Sequence, residues 1–387
     1  MYNYNYFTPT RLIFGEGVIK ELPNTLKPLG QKVLLTYGGG SIKKSGLYDK
    51  VKELLKDFEI YELSGIEPNP KYNPSVLEGV KLCKEHQIDL VLAVGGGSVL
   101  DCSKAICAGA CYDGDPWDLI TYKVKAQKAL PLVTVLTLAA TGSEYDCGGV
   151  ISRTDTHDKI GYMDELLFPV ASFCDPTYTF SVSARQTDAG SADAINHVIE
   201  QYFADGATLL TDGMCEATIK TIMKNVKIAL KEPNNYEARA ELMTCCSLAC
   251  NGILSLGNGA SGWPCHGIEH ALSAYYDITH GVGLAIITPH WMKHILNEKS
   301  LNRFVSYGTH IYGIDDKLDD LTIANKTIEE TSKFFASLGI PMTLHEVGIE
   351  ESSLPEIAHH IAVNEGLDKA WIPLNEQDIL AILKASF

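Results

Sequence analysis

The sequence lacks the features that would place a chain among nucleic-acid-binding or membrane proteins. It has no Lys/Arg-rich block, and 32 basic against 48 acidic residues leave a formal charge of −16. A polyanion held by neutralising its phosphates is a poor partner for such a surface, so no nucleic acid is expected. No uninterrupted apolar run reaches the roughly 18 residues that a bilayer span needs. The first seven residues, Met1 to Phe7, carry neither a basic nor an apolar leader segment. No membrane partner is expected, and the expected compartment is the cytoplasm. The eleven cysteines form no CxxC pair, and several, such as Cys102, Cys107 and Cys246, fall on apolar helical patterns. Buried free thiols are expected, not disulfides or a zinc–thiolate site.

What is present suits an ordinary globular protein: 45% hydrophobic and 21% charged residues in a chain of 387. That length exceeds what one core usually organises, so two domains are expected. The first half alternates short β-branched runs, at 32–37, 58–63, 90–94 and 132–136, with helical stretches, as βα units of a largely parallel sheet do. Asn73-Pro74 reads as a helix start, with the helix running to about residue 85. Beyond about residue 181 the periodicity becomes helical throughout, with long helices expected at 208–231, 236–256 and 321–338. The expected division is an α/β domain over 1–181 and an all-helical domain over 182–387.

Two segments set glycines directly after a buried strand and before a helix: Tyr37-Gly38-Gly39-Gly40-Ser41 and Val94-Gly95-Gly96-Gly97-Ser98. Such turns let backbone N–H groups and a helix N-terminus meet a phosphate without obstruction by Cβ. A third loop, Thr137-Leu138-Ala139-Ala140-Thr141-Gly142-Ser143-Glu144, follows another strand. None matches G-x-G-x-x-G, but in a parallel sheet all three lie at the carboxyl ends of strands, where open α/β folds bind ligands.

The second half carries the metal-type chemistry. Asp193 and His197 are four apart and share a helix face, as do His266 and His270, and His280 opens the next apolar segment. One carboxylate with imidazoles suits Fe(II) or Zn(II) and argues against Mg(II) or Ca(II), which prefer oxygen ligands. An Asp-x-x-x-His pair by itself equally describes a salt-bridged helix face.

Gly95-Gly-Gly-Ser-x-x-Asp101, Ala140-Thr-Gly-Ser-Glu144, Asp193-x-x-x-His197 and His266-Gly-Ile-Glu-His270, with His280-Gly-x-Gly beyond, resemble the iron-containing (group III) alcohol dehydrogenases. The likeness is greatest to the bacterial butanol dehydrogenase and NADPH-dependent aldehyde reductase branch. It implies a dehydroquinate synthase-like fold: an amino-terminal Rossmann-like dinucleotide-binding domain and a carboxyl-terminal all-helical metal-binding domain. It also implies Asp193, His197, His266 and His280 as metal ligands, and His270 as a proton-relay residue near the metal. Gly95, Gly96, Gly97 and Ser98 would cradle the pyrophosphate, with Asp101, Thr137, Leu138, Thr141 and Lys159 towards the nicotinamide. Gly38, Gly39 and Ser41 would face the adenosine ribose. An acidic residue in that loop would bind a ribose 2′-OH and repel a 2′-phosphate; with Gly39 there, and Lys43 and Lys44 near, NADP(H) is expected in preference to NAD(H). The implied reaction interconverts small primary alcohols and aldehydes, with Fe(II) or Zn(II) as Lewis acid and the nicotinamide as hydride carrier. A homodimer is the family expectation.

Asp146 stands where many relatives carry Asn. Three alternatives remain open: a glycerol or polyol dehydrogenase, a dehydroquinate synthase-like lyase, and a metal-binding protein without catalysis. The lyase needs several cationic groups around a polyanionic substrate, and residues 258–276 contain no Arg or Lys.

Overall fold

Strands β2 (Lys32–Tyr37), β4 (Leu90–Gly95) and β5 (Leu132–Leu136) are almost wholly buried. Their Val/Leu runs require this, because strands covered on both faces need apolar side chains in both directions. With β1 (Arg11–Phe14), β3 (Glu59–Leu63) and β8 (Ala171–Cys174) they form a six-stranded sheet in the order β1-β8-β5-β4-β2-β3. Every pairing in it is parallel. Alternate side chains feed two apolar cores, one on each face: Leu34, Val91, Ala93 and Leu132 in one, Val33, Leu35, Leu92 and Val133 in the other. A separate antiparallel hairpin joins β6 (Gly148–Arg153) to β7 (Asp158–Met163).

Helices of eight or more residues are α1 (Leu47–Leu54), α2 (Leu77–His86), α3 (Gly97–Ala110), α4 (Ala184–Tyr202), α5 (Leu209–Lys231) and α6 (Tyr236–Ala249). They continue with α7 (Pro264–Tyr276), α8 (His280–Ile295), α9 (Asp320–Ser337), α10 (Leu354–Asn364) and α11 (Glu376–Ala385). No helix is long and apolar enough to cross a membrane. All eleven cysteines are free.

This computed structural model describes all 387 residues. It divides into two compact units, each drawn from separated stretches of chain. The α/β unit holds Phe7–Ser183 and Glu232–Asn251; the helical unit holds Met1–Tyr6, Ala184–Lys231 and Gly252–Phe387. A single break at residue 181 therefore misplaces two segments: α6 is a helix of the α/β unit, and the first six residues belong to the helical one. Two element boundaries also differ from expectation. Residue 73, which precedes a proline, is extended at φ −114° and ψ 123°, so the helix begins at Leu77 after a wide turn. The helix expected over 236–256 stops at Ala249, ahead of Gly252 with φ 87°.

Polar groups buried in the α/β unit are tied to one another. The Thr134 hydroxyl donates to Ser172 Oγ at 2.7 Å, and Ser172 Oγ donates to the Glu144 carbonyl at 2.6 Å. From α6, Ser247 Oγ donates to the Glu144 carboxyl, which joins that helix to the loop after β5. Lys104, with no exposed surface, pairs with Asp146 at 2.7 Å and donates to the Gly148 carbonyl at 2.6 Å, fastening the hairpin to α3. Asp146 is thus an internal counter-ion.

Burial raises the Glu144 carboxyl from its ordinary 4.5 to about 7. The folded state then holds that proton more tightly than the unfolded chain does. Its contribution to stability is present below about 4.5 and is lost as the pH rises towards 7. Glu144→Gln, neutral at every pH, is expected to gain stability relative to the wild type over that interval. Urea midpoints for both proteins at about pH 5 and about pH 7.5 check this.

Candidate metal centre and nucleotide loops

On α4, Asp193 and His197 lie one turn apart and are both buried. His266 and His270 lie one turn apart on α7, and His280 is the first residue of α8. The three helices bring these side chains together. From Asp193 Oδ1, the Nε2 atoms of His197, His266 and His280 stand at 3.6, 3.9 and 3.7 Å. Those separations are too long for hydrogen bonds. They are close to the roughly 3.4 Å between ligand atoms set about 2.1 Å from one tetrahedral ion. Asp193 Oδ1 and His266 Nε2 are buried without a hydrogen-bond partner, a costly state that an ion would relieve. The donor set therefore fits a divalent metal. The donor atoms of Asp193, His266 and His280 lie within 4.8 Å of one another; His197 faces Asp193 but falls outside that group, and His270 groups with Glu269 and His280.

Close packing of backbone makes this convergence possible. A Cβ on Gly281, the residue after His280, would lie 1.9 Å from the Ala189 carbonyl oxygen of α4. One on Gly283 would lie 2.7 Å from Glu269 Cγ on α7. Without side chains at both positions, α8 approaches both neighbouring helices closely enough for His280 to reach Asp193.

Two carboxylates to which the sequence reading gave no role orient the imidazoles. Glu200 and Glu269 have no exposed surface. Glu200 accepts from His266 Nδ1 and, at 2.7 Å, from the Cys265 backbone N–H. Glu269 accepts from His280 Nδ1 and from the Ser273 hydroxyl. The available signal was an acidic residue inside an otherwise apolar helical run, since a buried Glu needs a partner. Burial lowers the His197 pKa to about 3, keeping the ring neutral as metal binding requires. At His266 burial also opposes charge, but Glu200 outweighs it and the pKa is raised. Trp263, at the start of α7 with φ 50°, sets its ring edge-on to His197 and His266, with centroids 5.9 and 5.2 Å away.

In the α/β unit the three glycine-bearing loops leave adjacent strand ends. Tyr37 pairs with Val94, and Gly95 with Leu136. β3 lies on one side of β2 and β4 on the other, so the Gly38–Gly39–Ser41 and Gly95–Ser98 loops flank the point where strand order reverses, the usual ligand position in such sheets. A Cβ on Gly97 would strike Thr141 Oγ1 at 2.5 Å, so this glycine lets the start of α3 close onto the loop containing Leu138 and Thr141. The first N–H groups of α3 are free of intrahelical partners, as at any helix start, and available to an anion. Thr137 N–H donates to the Gly95 carbonyl at 3.0 Å. Asp101, buried on α3, accepts from the Val150 N–H at 2.9 Å, and Lys159 is buried on β7. One carboxylate oxygen of Asp101 thus holds the hairpin, a task its spacing did not suggest.

Glycine-lined strand ends at a switch point, with a carboxylate and three imidazoles gathered on helices, define a nucleotide- and metal-dependent enzyme class. The iron-containing alcohol dehydrogenase family model matches residues 9–176, and the model for the carboxyl-terminal part of the Fe-containing alcohol dehydrogenase family matches 187–387. The chain belongs to that family. It is similar to NADH-dependent butanol dehydrogenase A of Clostridium acetobutylicum, at 48% identity with 100% of each chain covered. It is also similar to the NADPH-dependent aldehyde reductase YqhD of Escherichia coli, at 38% identity over 92% of each. The crystal structure of NADH-dependent butanol dehydrogenase A from Thermotoga maritima superposes with a TM-score of 0.95 at 38% identity, covering 100% of this chain and 99% of that one. The protein is accordingly an oxidoreductase that interconverts alcohols and aldehydes with NAD(P)(H) and a divalent metal.

Gly281→Ala is expected to force α8 away from α4, lowering stability by roughly 1–3 kcal/mol. Thermal unfolding, read beside the stoichiometry of Zn(II) bound to the variant, checks both the packing and the donor geometry.

Proposed function

We propose that Asp193, His197, His266 and His280 hold the divalent ion, Fe(II) or Zn(II), and that the substrates are small primary alcohols and their aldehydes, with NADP(H) preferred. The observation that carries the first part is the placing of three imidazole Nε2 atoms 3.6–3.9 Å from one buried carboxylate oxygen. When bound, the ion supplies Lewis acidity towards the substrate oxygen, and the nicotinamide supplies a site that takes or gives hydride. The chain's own residues do the rest. The Nε2 atoms of His197, His266 and His280 face Asp193 Oδ1. His270, whose ring centroid lies 5.6 Å from that of His280, is the proton-holding group of the site. Trp263 supplies an apolar surface beside the donors, suited to a short alkyl chain, in keeping with butanol in the names of related enzymes.

Gly95, Gly96, Gly97 and Ser98 receive the pyrophosphate at the start of α3. Asp101, Thr137, Leu138, Thr141 and Lys159 serve the nicotinamide side. Gly38, Gly39 and Ser41 serve the adenosine ribose. The NADP(H) preference follows from charge at this last loop. Gly39 is exposed and brings no carboxylate. Glu62, on β3, is occupied by Tyr37, Tyr48 and Lys52. Lys43 Nζ stands 5.1 and 4.8 Å from the Tyr37 and Tyr48 ring centroids, leaving a cation close to the loop. Relatives named for NADH and for NADPH both occur, so this loop is where the choice is tested.

Chelation is expected to abolish aldehyde reduction on a panel of two- to six-carbon substrates, and Fe(II) or Zn(II) to restore it. Unchanged activity after verified loss of the ion refutes the metal reading. In the same assay kcat/KM with NADPH should exceed that with NADH, and Gly39→Asp should lower the NADPH value at least about tenfold through repulsion of the 2′-phosphate. A wild-type enzyme equally or more efficient with NADH overturns the preference.

A further inference from the structure

Among the buried titratable groups, Glu200 and Glu269 stand apart. Neither has any exposed surface, and each spends one carboxylate oxygen on the Nδ1 atom of a different histidine. A carboxylate can only accept, so the imidazole must donate from Nδ1. That fixes the tautomer in which Nε2 carries the lone pair. In both residues this is the nitrogen facing Asp193 Oδ1, at 3.9 Å for His266 and 3.7 Å for His280. The second oxygen of each carboxylate is also held, by the Cys265 N–H in one case and by the Ser273 hydroxyl in the other. Each ring is thereby prevented from turning. His197 is different: its Nδ1 is buried with no hydrogen-bond partner, and its ring lies against that of His266, centroids 4.6 Å apart.

We propose that Glu200 and Glu269 are positioning residues that set the metal affinity of the helical unit, by fixing the tautomer and orientation of His266 and His280. The proposal rests on the reading of Asp193, His197, His266 and His280 as the metal donors. Its physical content is twofold. Hydrogen bonding to a carboxylate makes an imidazole a stronger donor towards a cation. A ring already locked in its liganding orientation loses no rotational freedom when the ion arrives. Gln in place of either Glu keeps the shape and one accepting oxygen but removes the charge, and its amide nitrogen cannot accept the second hydrogen bond.

The test uses the full chain stripped of metal and titrated with Zn(II) against a chromophoric chelator. Wild type should bind one ion, and Asp193→Ala should bind it at least about a hundredfold more weakly. Glu200→Gln and Glu269→Gln should each raise Kd by about ten- to a hundredfold, the range seen when such outer partners are removed. Melting of the metal-free variants separates this from a packing role, which would lower the melting temperature and leave Kd alone. Kd within about twofold of wild type in either folded variant overturns the role of that carboxylate. A wild-type chain that binds no stoichiometric ion, or an Asp193→Ala variant that binds as well as wild type, overturns the metal reading and this inference with it. Should either variant fail to fold, ¹⁵N-histidine spectra of Zn(II)-loaded wild type decide. His266 and His280 are expected to be protonated at Nδ1 and metal-bound at Nε2, and coordination through Nδ1 refutes the proposal.

Discussion

Of the four carboxylates buried in the helical unit, three face histidines: Asp193 at 3% exposure, and Glu200 and Glu269 at none. Taking a carboxylate out of water costs several kcal/mol unless it is paired and hydrogen-bonded. Residues 258–276 contain no Arg or Lys to serve as partners. Imidazoles take that place: Glu200 meets His266, Glu269 meets His280, and Asp193 faces all three Nε2 atoms. The first two contacts satisfy their groups within the protein. The contacts of Asp193 do not, since they exceed hydrogen-bonding distance. Asp193 Oδ1 is left buried without a hydrogen-bond partner, a state that a divalent cation would relieve.

The α/β unit meets a different requirement, which is to present backbone instead of side chains. Its parallel sheet sends the loops after β2, β4 and β5 out from neighbouring strand ends. Glycines at the second of these allow it to close on the third. The polar interior of this unit holds three internal pairs: Lys104 with Asp146, Glu144 with Ser247, and Thr134 with Ser172. Such anchors help keep the neighbouring loops in place, since a turn of small residues has little packing of its own.

How much of this could be read from the sequence depended on whether the deciding contact was local. Strands β2, β4 and β5 declare themselves because a doubly covered strand is apolar throughout. Edge strand β1 has only Leu12 and Ile13 half-buried. β8 is fully buried, but its Ala-Ser-Phe-Cys sequence has no β-branched residue. That Asp193 and His197 share one face of a helix was legible from their spacing, as was the place of the glycines after β2 and β4 behind apolar runs. Glu200 was not, because the atom that gives it a role, His266 Nδ1, is 66 residues away. The membership of α6 in the α/β unit was hidden for the same reason: its helical period says nothing of which core receives it.

His270 shows where spacing stops discriminating. His266 and His270 are one turn apart on α7, and helical geometry alone makes them as good a ligand pair as Asp193 and His197. Their partners separate them. Glu200 takes Nδ1 of His266 and leaves Nε2 towards Asp193, whereas His270 groups with Glu269 and His280, and not with Asp193. One helix face can offer two donors to an ion, so four donors in a tetrahedron require further helices. Bringing α8 against α4 is the costly step, because helices normally keep about 8–10 Å between axes to accommodate side chains. Gly281, directly after His280, removes that obstacle where α8 meets α4. The His-Gly-x-Gly segment at 280–283 is therefore best understood as one device, a donor together with the close approach that brings it within reach of Asp193.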